Sequence, residues 1–316
     1  MNITNIHLKK GRNGIRRLAA SVLGLVVLAV AGGWLADYGH ARWVARCHAA
    51  WEAEIERDAD GIRPGFTAWQ QGEGEVALLF VHGFAGAPSL FTPWGTYFAD
   101  RGYTCVAIRL PGFGEPLEQA AQITVDDWVQ AVHTAARELH ADHEQVWIVA
   151  HSLGATLAVQ LAAHQPEWVD GLILFAPLFK ISSARSPWLS PPRWYRWGRR
   201  VTRHTTFIES ALPVDAHDPQ LADQIQRDRY IPWAIYDALF QVLAAIPLAT
   251  DLGDTPVWIA LAADDEIIDN AAVHDWFDPI AQPPNVLVEQ SPAGHVLPRD
   301  TGWQRLREKV DIFLNQ

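Results

Sequence analysis

Between residues 76 and 290, short apolar runs alternate with stretches whose apolar positions recur every three or four residues. The runs are Val76 to His82 (VALLFVH), Tyr103 to Leu110, Gln145 to His151 (QVWIVAH), Gly171 to Phe175, Pro256 to Ala262 (PVWIALA) and Asn285 to Glu289 (NVLVE). The first two are brief and continuous, as a strand buried on both faces requires, and the others read as strands as well. Helical periodicity marks about Val125 to Leu139, Leu153 to His164 and Gln304 to Phe313. The alternation predicts an α/β fold, a mostly parallel sheet with helices on both faces. One block breaks the rhythm. Residues from about 180 to 252 carry prolines, aromatics and helical patches but no clear strand, and read as an inserted helical cap.

The front of the chain follows a different pattern. Leu18 to Ala36 holds no charged residue. As a helix rising about 1.5 Å per residue, it matches the hydrocarbon thickness of a bilayer. Lys9, Lys10, Arg12, Arg16 and Arg17 precede it, which predicts a cytoplasmic N-terminus and the remainder of the chain on the other side. A retained signal anchor and a cleaved signal peptide, cut after Ala29-Val30-Ala31, both fit this pattern. Apolar character continues through Trp34 and Leu35, and Val44, Cys47, Trp51 and Ile55 keep helical spacing, which favours the anchor. The predicted organisation is a basic terminus at 1–17, a transmembrane anchor at 18–36, a helical stalk at 37–60 and an α/β domain at 61–316.

Composition narrows the possible chemistry. A formal net charge of −11 argues against nucleic-acid binding. Cys47 and Cys105 are the only cysteines, too few for a disulfide scaffold and without zinc-site spacing, so no metal or organic cofactor is implied. The fifteen tryptophans read mostly as core, with some suited to pockets or wet interfaces.

Ser152 stands in Val149-Ala150-His151-Ser152-Leu153-Gly154, after a predicted strand and before a predicted helix. That is the context of a nucleophile elbow, whose sharp turn demands small neighbours two positions either side. Ala150 and Gly154 meet the demand. A serine hydroxyl needs a base to take its proton. His295, in Ser291-Pro292-Ala293-Gly294-His295-Val296, follows the strand at 285–289 and can reach the same sheet edge. The base needs a carboxylate to fix its tautomer. The strand at 256–262 runs into Ala263-Asp264-Asp265-Glu266, where Asp265 is the first candidate and Asp264 its rival. Backbone N–H groups of Leu153, and of Phe84 in Val81-His82-Gly83-Phe84, are the candidate donors to an oxyanion. His82 reads as structural.

These motifs together resemble the α/β-hydrolase superfamily, in the chain order Ser152, Asp265, His295. The HGF loop, the AHSLG elbow, the DDEIID acid loop and the GHV segment are similar to those of bacterial carboxylesterases and monoacylglycerol lipases, from about residue 75 onward. Ala150 and Ala262 replace glycines common in that family. The resemblance implies a sheet of about eight strands, a lid over the site, Asp265 as the acid, and hydrolysis of carboxylic esters through an acyl-enzyme. Acyl transfer, amide or peptide cleavage, and a non-catalytic binding role are its alternatives. A dehalogenase would need Asp where Ser152 stands. The expected partners are a small ester, for which the membrane segment and the basic-aromatic cluster of the cap point to a lipid origin, and the membrane itself through the N-terminal helix. The cluster Arg193, Arg196, Arg199, Arg200 and Arg203, interleaved with Trp194, Tyr195 and Trp197, reads either as a surface for anionic headgroups or as a solvated helix face.

Overall fold

The computed structural model describes residues 3–186, 188–210 and 213–316. The chain divides into two compact units, residues 1–53 with 196–206, and residues 54–195 with 207–316.

The first unit is built on α1 (Ile3–Glu52). From Ser21 on, this helix is long and apolar enough to cross a membrane, by length and composition. Its apolar side chains are uncovered, with Leu28 70% and Leu35 63% exposed. The side chains of the basic flank, Lys9 to Arg17, lie outside the described residues. At the end of the apolar stretch, the buried Asp37 carboxylate holds the turn at 203–205. It accepts the N–H groups of Arg203 (2.6 Å) and His204 (2.7 Å) and the Thr205 hydroxyl (2.7 Å). The His204 ring sits edge-on to Trp34 at 4.6 Å and to Tyr38 at 5.6 Å.

The helix stops at Glu52, short of the expected stalk end at 60, so Ile55 lies beyond it. The chain next enters a side-chain-held turn. Asp58 accepts the N–H groups of Asp60 (3.0 Å) and Ile62 (2.8 Å), and Gly61 takes φ +77°. A short acidic side chain that satisfies backbone donors competes with helix, and the glycine supplies the left-handed residue.

The remaining elements, in chain order, are β1 (Trp69–Gln71), β2 (Val76–Val81), α2 (Thr92–Ala99), β3 (Thr104–Ile108), α3 (Leu117–Ala120), α4 (Val125–Asp142), β4 (Gln145–His151), α5 (Leu153–His164) and β5 (Gly171–Phe175). The cap region follows with α6 (Pro191–Val201), β6 (Phe207–Glu209), α7 (Leu221–Gln224), β7 (Tyr230–Pro232) and α8 (Trp233–Ala244). The chain then returns to the sheet through β8 (Val257–Ala262), α9 (Asn270–Phe277), β9 (Val286–Gln290) and α10 (Trp303–Leu314).

Among the described residues the main sheet has seven strands, in the order β1-β3-β2-β4-β5-β8-β9, where about eight are implied by the resemblance. Only β1 is antiparallel to its neighbour. The apolar runs form the centre. Every residue of β5 and β8 is buried, and so is every residue of β4 after Gln145. Parallel register pairs Val81 with Ala150, His151 with Phe175 and Phe175 with Ala260. The C-terminal ends of β2, β4, β5 and β8 therefore open onto one edge of the sheet, where a ligand is ordinarily met in such folds. α4 begins at Val125, where the pattern predicts, because Thr124 and Asp127 close a capping box.

The cap contains strands that the sequence pattern does not reveal. β6 and β7 pair antiparallel over three residues each, Phe207 with Pro232 and Glu209 with Tyr230. Three residues are too few to show an alternating pattern. α2 and α9, eight residues each, escape for the same reason of length.

Candidate active site

Ser152 lies between β4 and α5 with φ +54° and ψ −116°, a conformation that L residues rarely adopt. Its neighbours hold it there. The Ser152 N–H donates to the Phe175 carbonyl (2.9 Å), and its own carbonyl accepts from Leu178 N–H (3.2 Å) and Ala155 N–H (3.1 Å). A side chain at Gly154 would press into the carbonyls of Val81 and His82, so the elbow tolerates only glycine there. A Cβ at Gly83 would come within 2.9 Å of both Ser152 Cβ and His151 Nδ1, which explains the glycine before Phe84.

His295 reaches the serine from the loop after β9. The Ser152 hydroxyl donates to His295 Nε2 at 2.9 Å, and His295 Nδ1–H donates to Asp265 Oδ2 at 2.8 Å. This pattern fixes the imidazole as the tautomer with its proton on Nδ1. The Asp265 side chain is wholly buried, and its second oxygen accepts the N–H groups of Ile267 (2.8 Å) and Ile268 (2.9 Å). Burial pushes the Asp265 carboxyl upward, but His295 and these two N–H groups outweigh it and leave the carboxyl below its ordinary range. Asp264, its rival in sequence, is exposed.

Of the two candidate oxyanion donors, one lines the cavity and the other directly follows Ser152. Leu153 opens α5, and Phe84 lines the cavity that holds Ser152. Among the described residues neither N–H has a hydrogen-bond acceptor. His82 is fully buried, donates from Nδ1 to the Gly83 carbonyl (2.9 Å) and accepts the Leu110 N–H at Nε2 (3.0 Å). Burial pushes its pKa down to about 4, so it is a neutral brace for the Gly83 loop.

Three residues contribute here without having been singled out from sequence. His151 donates from Nε2 to the His295 carbonyl (2.9 Å), fixing the loop that carries His295. Burial, first of all, pushes the His151 pKa down to about 3, which keeps it neutral. Asp300, 1% exposed, gathers four N–H groups: Gly294 (2.6 Å) and His217 (2.7 Å) on one oxygen, Asp218 (2.9 Å) and Thr301 (2.8 Å) on the other. Arg299 lines the cavity beside His295. The pattern Arg-Asp after a Pro carries no signal of either role, because both depend on contacts that only folding creates.

The cavity itself holds about 420 Å³, and Leu90, Leu178, Val214, Tyr236 and Leu239 form much of its apolar wall. That volume suits a small organic molecule. Two carboxylates also line it, Asp215 and Glu266, and both are engaged by Arg185 at 3.1 and 2.7 Å. No cluster of metal-ligating side chains occurs among the described residues.

The family described as serine aminopeptidase, S33, matches residues 72–301. A thermostable monoacylglycerol lipase from a Bacillus species is 35% identical over 94 residues, 30% of this chain and 38% of the lipase. A carboxylesterase of Bacillus subtilis is 22% identical over 244 residues, 77% of this chain and 94% of that protein. The crystal structure of a Paleococcus ferrophilus monoacylglycerol lipase superposes with a TM-score of 0.64 at 15% identity, covering 79% of this chain and 98% of the lipase.

Proposed function

We propose, for a chain that belongs to the serine aminopeptidase S33 family and has the α/β-hydrolase fold, a serine hydrolase that cleaves carboxylic esters of the monoacylglycerol or lysolipid kind. The observation that carries this reading is the hydrogen-bonded series from Ser152 Oγ through His295 to Asp265, opening into a mainly apolar cavity. His295 takes the Ser152 proton as Oγ attacks the ester carbonyl carbon. The N–H groups of Phe84 and Leu153 hold the resulting oxyanion. Collapse breaks the bond to the alkoxy oxygen, which leaves as an alcohol with the proton from His295. Water, deprotonated by the same imidazole, then attacks the acyl-enzyme and releases the carboxylic acid while the proton returns to Ser152.

The cavity wall favours an ester over an N-terminal peptide. An aminopeptidase must hold the substrate's ammonium group with a carboxylate, and both carboxylates lining this cavity are already engaged by Arg185. The relatives called lipase and carboxylesterase point the same way. α1 serves as a retained membrane anchor, with the catalytic unit on the non-cytoplasmic side, and the arginine and aromatic cluster at 193–203 meets lipid headgroups.

The test is hydrolysis of monolauroylglycerol and of short p-nitrophenyl esters by wild type and Ser152→Ala. The variant is expected to lose a factor on the order of 10³ or more in kcat. Near-normal turnover by the variant would refute the assignment, and a sole preference for acetyl esters would remove the lipid substrate class.

A further inference from the structure

Arg299 lines the same cavity as Ser152 and His295, one turn beyond the base, with its N–H on the Val296 carbonyl (3.0 Å). It is half-buried. Among the described residues its guanidinium has no hydrogen bond, ion pair or ring contact. The neighbouring carboxylate, Asp300, commits both oxygens to backbone N–H groups. The cavity's own acids, Asp215 and Glu266, are held by Arg185. Burial lowers the Arg299 pKa, and no acid opposes it. Three arginines of the wall, Arg185, Arg227 and Arg299, face only two carboxylates, Asp215 and Glu266, a positive excess in the mainly apolar chamber of a protein whose net charge is −11. Leaving a cation half-desolvated is costly unless something pairs with it, and a guanidinium fork matches an oxyanion.

We infer that Arg299 binds an anionic group of the substrate, a phosphate or a carboxylate, so that the preferred esters carry a negative charge within reach of the scissile bond. This rests on the ester-hydrolase reading and narrows its substrate class. Arg299 binds, and takes no part in the proton relay.

The experiment compares lauroyl esters that differ in charge, using the full-length protein and substrates below their micelle concentrations. Monolauroylglycerol is the neutral arm, 1-lauroylglycerol-3-phosphate the phosphate arm, and monolauroylglycerol hemisuccinate the carboxylate arm. Wild type should favour at least one anionic arm in kcat/KM. Arg299→Gln should cut the anionic-to-neutral ratio about tenfold or more, mainly through KM, and Arg299→Lys should restore part of it. A second measurement needs wild type alone. Dodecyl phosphate should compete against the neutral ester more tightly than dodecanol, with an advantage that shrinks as salt is added. An unchanged ratio in folded Arg299→Gln, or equal inhibition by the two dodecyl compounds, overturns the inference. If Ser152→Ala retains wild-type turnover of all three esters, the ester-hydrolase reading itself has failed, and the inference falls with it.

Discussion

Two adjacent acids separate what residue identity can and cannot say about this site. Asp264 and Asp265 are adjacent, chemically identical acids just past β8, and the sequence puts Asp265 first with Asp264 a close rival, a choice that the resemblance supports. The fold turns Asp265 inward to His295 and leaves Asp264 exposed. Replacing Asp265 by Asn removes the acceptor that fixes the imidazole tautomer, and kcat should fall on the order of 10³-fold or more, while Asp264→Asn stays within about twofold. Steady-state kinetics on one ester decides between them, and equal losses would contradict the assignment. Ser152 and His295 are legible earlier because their motifs have steric content. Gly154, two residues after the serine, and Gly294, just before the histidine, are required by close backbone approach, and that requirement leaves a trace in the sequence. Arg299, Asp300 and His151 leave none. Each acts through partners 82 to 144 residues away, or through the want of a partner.

At the scale of elements, the long buried runs translate directly into β2, β4, β5 and β8, since a run buried on both faces has few alternatives. The short pieces, β6, β7, α2 and α9, are set by tertiary context and carry too few residues to announce themselves. The loop that bears His295 shows how such context works. It has no regular structure of its own, yet Asp300 ties it to residues 217 and 218 of the cap. Burial pushes the Asp300 carboxyl up, and the four N–H donors more than reverse it, so its pKa in the folded chain lies below the ordinary carboxyl value. An acid with a depressed folded pKa contributes stability that is complete above its unfolded pKa, about 3.9, and is lost as pH falls through the folded value. Asp265 follows the same rule. Asp300→Asn should therefore lower the unfolding free energy at pH 7 by about 2–3 kcal/mol. It should also flatten the loss of stability between roughly pH 5 and pH 3. Urea unfolding at several pH values measures both effects. An unchanged slope would mean that the carboxylate is not what holds this loop.

For the molecule as a whole, α1 poses a different physical problem from the catalytic unit. Its side chains from Val22 to Leu35 are exposed and apolar, a surface that water penalises and a bilayer accepts. The sequence made that segment plain through length and charge, because a hydrocarbon slab imposes one simple rule. It did not reveal that Asp37, the first charge after the segment, would be buried on the turn at 203–205. As a retained anchor, the mature protein should keep its first 36 residues. Intact mass of the membrane fraction checks this, and a chain beginning near Gly32 would make the segment a cleaved signal.

The proposed hydrolysis depends most on the Ser152 hydroxyl being activated by His295. A fluorophosphonate probe reports that state directly, because it phosphonylates a serine only where a neighbouring base removes the proton. Peptide mass mapping of the labelled protein should find one adduct, on Ser152, and none in Ser152→Ala or His295→Ala. Failure of wild type to react, or labelling that persists at another serine in Ser152→Ala, would contradict the account.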